Sequence, residues 1–125
     1  MKKHEKPVKE AKPIGIKLGL LERIVLPGFF PNEASIADLI IKKDIIKKIA
    51  LTQIDVIDFE IKNTEDGRGT TWNNAGINHV INVVFTPLER ALINKTLKNV
   101  LKEKNDTEKV TEQLLFICDN FGVKF

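Results

Sequence analysis

Apolar residues recur along most of this chain at three- and four-residue steps, and turn residues divide the pattern into segments. Ile16, Leu20, Leu21, Ile24 and Val25 mark one face of a helix that Pro27-Gly28 stops. Phe29-Phe30-Pro31-Asn32 follows as a short connector carrying two adjacent aromatics. Ser35 then offers its hydroxyl as an N-cap, with Asp38 three residues on. Beyond it, Ile36, Leu39, Ile40, Ile45, Ile46 and Ile49 alternate with Lys42, Lys43, Asp44, Lys47 and Lys48. That spacing predicts one long amphipathic helix or two short ones meeting near Lys43. Thr52-Gln53-Ile54-Asp55 repeats the cap signature and opens a helical turn toward Phe59.

The middle of the chain reads differently. Glu60 to Lys62 is expected to be extended, Asp66-Gly67 is the strongest hairpin dipeptide, and Thr70-Thr71-Trp72 makes a return strand. Asn73-Asn74-Ala75-Gly76 breaks it, and Val80 to Phe85 forms a further strand with Ile81, Val83 and Phe85 on one face. Thr86-Pro87-Leu88-Glu89 is the clearest local signal. Its hydroxyl, its N-terminal proline and its Glu form a complete helix start. The helix so opened is expected to bury Leu88, Leu92, Ile93, Leu97, Val100 and Leu101, to expose Arg90, Lys95, Lys98 and Lys102, and to break at Asn105-Asp106. A last helix from about Thr107 or Glu108 places Val110, Leu114, Ile117, Cys118 and Phe121 on one stripe and ends at Gly122.

The predicted fold is α+β. It is a mainly helical single domain, with a small antiparallel sheet or β-hairpin between N-terminal helices and a C-terminal helix pair. No repeat of fixed period is visible.

Charge changes this picture at one end. Of 125 residues, 20 are Lys or Arg and 17 are Asp or Glu, a net +3. Lys2, Lys3, Lys6, Lys9 and Lys12 against Glu5 and Glu10 account for all of it, so residues 14–125 are neutral. Residues 1–13 therefore read as a flexible basic arm, too poor in apolar surface to offset the entropy of ordering it. No clean apolar segment and cleavage site follow, so the arm is not read as a signal peptide. The domain proper is expected over residues 14–125. A phosphate-binding surface usually carries a cationic excess, and this body has none.

Candidate chemistry is sparse. No apolar run reaches the ~20 residues of a membrane span. The single cysteine excludes an internal disulfide or a multi-thiolate metal site. His4 lies in the arm, and Cys118 sits on an apolar stripe where a thiol behaves as a small hydrophobe, which disfavours a pair with His79. Ser35 is explained as a cap. Asp55, Asp58 and Glu60 are the one cluster of acids a hydrolase could use, provided that they converge in a cleft. The glycines fit no phosphate loop or dinucleotide fingerprint, and no metal-ligand spacing is present. No cofactor is expected.

Helices followed by a hairpin also suggest a winged helix, with Lys42, Lys43, Lys47, Lys48 and Arg68 as nucleic-acid contacts and Thr70 and Thr71 beside them. Gln53-Ile54-Asp55-Val56-Ile57-Asp58 would be its recognition helix, and that helix is acidic and apolar. DNA binding is therefore the alternative reading.

Leu26-Pro27-Gly28 after a leucine-rich segment, the aliphatic stretch Ile36–Ile49, the Thr52-to-Phe59 turn, Thr71-Trp72-Asn73 and Phe85-Thr86 ahead of Glu89 together resemble a group of small uncharacterised bacteriophage and prophage proteins. The likeness covers most of residues 16–125 as an order and spacing of elements. It implies an accessory protein of a virus or mobile element, in the bacterial cytoplasm or on the virion, and it transfers no activity or site residue. The expected function is thus non-enzymatic. It would act through a protein partner or homo-oligomer, with Lys2, Lys3, Lys6, Lys9, Lys12, Phe29 and Phe30 as candidate contacts and no membrane partner.

Overall fold

The computed structural model describes residues 14–124. The order is β1 (Ile14–Gly19), α1 (Leu20–Val25), a 3-10 turn (Leu26–Phe29), α2 (Ile36–Ile49), α3 (Gln53–Asp58), β2 (Lys62–Asn63), β3 (Thr70–Thr71), α4 (Asn74–Ile77), β4 (Val80–Phe85), α5 (Pro87–Asp106) and α6 (Glu112–Asn120). It is a mainly helical α+β fold.

The largest departure from the sequence reading is at the start. Residues 14–19 are a strand, not the first turns of a helix. The cause is visible in the residues: Ile14, Ile16 and Leu18 alternate with Gly15, Lys17 and Gly19, a period of two. β1 pairs antiparallel with β4 in a six-residue register running from Ile14 opposite Phe85 to Gly19 opposite Val80. Leu18, Val83 and Phe85 of this ribbon enter the core. The helix proper begins at Leu20, where the Glu22 carboxylate (Oε1) accepts the Gly19 amide at 3.0 Å.

Both outer edges of the ribbon are met by side chains. Lys48 Nζ donates to the Val84 carbonyl at 2.9 Å on one side, and Asn120 Nδ2 donates to the Lys17 carbonyl at 3.1 Å on the other. Such contacts protect an edge from pairing with foreign strands.

The helices pack on the ribbon's inner face through Leu26, Phe30, Ile45, Ile49, Ile93, Leu97, Leu114, Ile117, Cys118 and Phe121, all buried in one contiguous cluster. Phe85 and Phe121 meet with ring centroids 6.0 Å apart. Thr86 and Glu89 form the anticipated reciprocal cap of α5, with Glu89 N donating to Thr86 Oγ1 at 3.1 Å and Thr86 N to Glu89 Oε1 at 2.9 Å.

The hairpin turn forms where Asp66-Gly67 placed it, with Gly67 at φ 71°. Its strands are two residues each and make a sheet separate from the ribbon. Residues 53–79 are thus an excursion between α2 and β4. It docks where Gly76 comes against Leu20, Trp72 and Phe59.

Of the two forms the spacing allowed for α2, the structure shows the first, and two other expectations fail. α2 is one continuous helix through Lys43. α6 starts at Glu112 behind a Thr111 cap, because Glu108 at φ 55° turns the chain out of helical geometry after α5. Leu88, expected in the core, is 67 % exposed. It lies in the first turn of α5, one turn before the buried Leu92.

Candidate interaction surface

α2 carries apolar residues on two opposite sides. With 100° per residue, Ile41, Ile45 and Ile49 share the inward side, whereas Ile36 and Ile40 lie about half a turn away. Ile45 and Ile49 are fully buried, while Ile36 is 79 % and Ile40 58 % exposed, with Leu39 between the two sides at 36 %. The sequence spacing groups Ile36, Leu39 and Ile40 with Ile45 and Ile49, and the structure separates them. The aliphatic composition did not distinguish the two sides. α3 likewise buries none of its residues, and Ile54 and Ile57 face solvent.

Between the first half of α2 and the middle of α5 runs an open groove of about 750 Å³, walled by Phe29, Leu39, Leu92 and Val100. Lys95 spans it to Asp38 at 3.1 Å, and Lys42 Nζ donates to the Pro31 carbonyl at 3.1 Å along its rim. The two aromatics singled out in the sequence divide here. Phe30 belongs to the core cluster at 5 % exposure and borders the groove only from beneath, whereas Phe29 is half-buried on the groove wall.

A second, shallower cleft of about 530 Å³ lies where the excursion meets the body, between Leu20, Leu21, Trp72, Ile77, Val80 and Phe116. Glu22 lines it with its carboxylate already engaged, since Oε2 accepts from Asn120 Nδ2 at 2.8 Å. His79 lines it too, packed against Phe59 at 4.5 Å between centroids with the ring planes tilted by 35°, and its Nε2 is buried and lacks a partner among the described residues.

The nucleic-acid candidates do not form one surface. Lys48 is spent internally: its ammonium pairs with Glu89 at 2.6 Å, holds the Val84 carbonyl and lies 6.0 Å from the Phe85 ring centroid. Lys42 is turned to Pro31. Lys43 and Lys47 remain exposed on the outer side of α2, and Arg68 is exposed at the hairpin turn, where its amide donates to Asp66.

The three acids do not converge either. Asp55 caps α3 and pairs with Arg23 at 3.0 Å, and the Thr52 backbone N–H followed by Arg23 holds its carboxyl below the usual value. Asp58 and Glu60 are exposed, bridged through Asn73, whose Nδ2 donates to the Asp58 carbonyl and to Glu60 Oε2. Cys118 is fully buried among apolar side chains, and burial pushes its thiol up. No group of three or more His, Cys, Asp or Glu among the described residues is placed to hold a metal ion. No helix among them is long and apolar enough to cross a membrane. Lys2, Lys3, Lys6, Lys9 and Lys12 lie outside the described residues.

What the sequence reading missed is the role of Arg23 and the outward side of α2. Arg23 carries no motif, and only a helical-wheel count of all six isoleucines of α2 separates two sides. No family model, curated protein or solved structure matches the chain.

Proposed function

We propose that this chain is a non-enzymatic accessory module that works by binding protein. The observation that carries the reading is the group of large aliphatic side chains left in solvent on consecutive helices: Ile36 and Ile40 on α2, Ile54 and Ile57 on α3. Single exposed aliphatics are ordinary, but neighbours grouped on one helix side mark contact surfaces. The resemblance to bacteriophage and prophage proteins supports a place among viral accessory or assembly factors, in the host cytoplasm or on the virion.

The test compares immobilised wild-type chain with two variants, Ile36→Glu/Ile40→Glu and Ile54→Glu/Ile57→Glu, as baits in lysates of phage-infected bacteria. The expected result is a defined bound protein that at least one variant loses while its melting temperature stays within a few degrees of wild type. Identical capture by all three baits overturns the reading.

A further inference from the structure

We propose that Asp66-Gly67 is a latent self-modification site, able to close to a succinimide and reopen as isoaspartate, and that Thr64 keeps it shut while the hairpin is folded. The proposal stands apart from the protein-binding reading and does not depend on it.

Asp66 is the one Asp or Asn of the chain that a glycine follows. Closure requires the next backbone nitrogen to reach the side-chain carboxyl carbon, and a residue without a Cβ leaves that approach open. Asp66 and Gly67 are both exposed at the turn, with nothing within 4 Å of where a Gly67 Cβ would stand. In the reaction Gly67 N bonds to Asp66 Cγ and gives up its proton, and one oxygen of the protonated carboxyl leaves as water. A second water then opens the ring. Breaking the new N–Cγ bond restores aspartate. Breaking the bond from that nitrogen to the Asp66 backbone carbonyl carbon gives isoaspartate. The chain then runs through Cγ, and the former carbonyl carbon is a free carboxylate.

Thr64 opposes each part of this step. Its carbonyl accepts the Gly67 N–H at 2.9 Å, so the attacking nitrogen is held in the hydrogen bond of the turn. Its hydroxyl donates to Asp66 Oδ1, which also accepts the Arg68 amide at 3.0 Å. The carboxyl is thereby fixed toward Thr64 and Arg68. The same hydroxyl accepts the Gly69 amide at 3.1 Å, which ties the two sides of the turn together. These bonds, that of Thr64 first, also hold the Asp66 carboxyl below its ordinary 3.8. It is protonated less often as a result, and the protonated form is the one that loses water.

The guard lasts only as long as the turn. β2 and β3 are two residues each, and so short a pairing opens locally without global unfolding. Isoaspartate, once formed, no longer places a carboxylate where Thr64 and Arg68 hold one.

The test is prolonged warm incubation of the full chain at neutral pH. Isoaspartate is read by peptide mapping with electron-transfer fragmentation, and the succinimide by its loss of one water. Folded wild type is expected to accumulate isoaspartate at Asp66 roughly tenfold more slowly, or slower still, than the same chain unfolded in guanidinium chloride. Thr64→Val keeps the backbone bonds and loses the hydroxyl, and should speed modification of the folded chain about fivefold with an unchanged circular-dichroism melt. Thr64→Ser restores the hydroxyl and should return the rate close to wild type. Equal rates in the folded and unfolded wild-type chain overturn the proposal, and that comparison needs no variant. A Thr64→Val chain no faster than wild type overturns it too, as does a Thr64→Ser chain as fast as Thr64→Val.

Discussion

Arg23 of α1 reaches Asp55 of α3 with Nη2 3.0 Å from Oδ2, and the same guanidinium holds the carbonyls of Ile49 at 3.0 Å and Ala50 at 2.8 Å. One planar group therefore ties the first helix, the end of α2 and the start of α3. The two carbonyls are at the C-terminal end of α2, where the last carbonyls lack partners within the helix. A cation there also meets the negative end of the helix dipole.

Removing that group leaves the buried Ile49 carbonyl, the part-buried Ala50 carbonyl and the Asp55 carboxylate without it. The side chains of Arg23 and Asp55 are only 4 % and 16 % exposed. Arg23→Ala should cost about 2–4 kcal/mol in urea denaturation, less than a fully buried pair because water reaches Asp55 from one side. Arg23→Lys should recover only part of this, since an ammonium cannot reproduce the flat fork that holds three acceptors. One Nη is already buried without a partner among the described residues, a cost that limits the net gain from the cluster. A loss under 0.5 kcal/mol in the alanine variant would show that the tie is incidental.

Asp55 makes the same cluster sensitive to acid. Its folded-state carboxyl is held below the ordinary 3.8, first by the Thr52 amide, with Arg23 adding to the effect against desolvation. A depressed acid stabilises the fold above its unfolded value and loses that contribution as pH falls through the folded value. The stability gap between wild type and Asp55→Asn should therefore be constant at neutral pH and narrow below about pH 4. Denaturation midpoints of both proteins between pH 7 and pH 2 check this. A gap independent of pH would place the stabilisation elsewhere.

Gly76 fixes the docking of the excursion. A Cβ at this position would sit 2.8 Å from Leu20 Cδ1, 2.9 Å from Trp72 Cδ1 and 3.2 Å from Phe59 Cβ. Alanine in a helix normally gains up to ~1 kcal/mol over glycine. Here overpacking opposes it, at about 1–3 kcal/mol, because Leu20 is itself buried and cannot swing away. Gly76→Ala should destabilise and shift the emission of Trp72, the only tryptophan. An unchanged spectrum with raised stability would mean that the excursion sits loosely.

Cys118 offers a probe of opening. The thiol is fully buried and its raised pKa leaves it neutral at ordinary pH, while only the thiolate reacts. Labelling by a thiol reagent should be slow in the native protein and accelerate steeply with denaturant, in step with loss of helicity. Rapid labelling in water would reveal that α6 opens without global unfolding.

Capping chemistry was the most legible part of the fold. Ser35, Thr52, Thr86 and Asp66-Gly67 all act where the sequence placed them, because each device is decided within four residues. β1 was hidden for the opposite reason. Ile16 and Leu18 fit a two-residue alternation, yet Leu20, Leu21 and Ile24 directly behind them fit a helical one, and only the distant partner β4 settles the choice. The outward isoleucines of α2 were hidden by composition, since burial depends on which side α5 and the ribbon happen to cover. Phe30 and Phe29 could not be separated either. A connector has no periodicity to say which ring turns in.

The β1–β4 ribbon also has a consequence for how the chain assembles. Its two strands are separated by roughly 60 residues, and closing a loop of that size must occur before the six-residue ladder returns any stabilisation. Helices with local contacts form faster than such pairings. α2 and α5 are thus expected to be present, and partly docked, before β1 finds its place beside β4. Asn120 can occupy the β1 edge only after that step, whereas Lys48 reaches β4 without β1. Until then the edge of β4 that pairs with β1 is open, and the nascent strand Val80–Phe85, rich in β-branched residues, is the segment most exposed to capture by another unfolded chain. Refolding yield should therefore fall with protein concentration even though the native ribbon presents guarded edges.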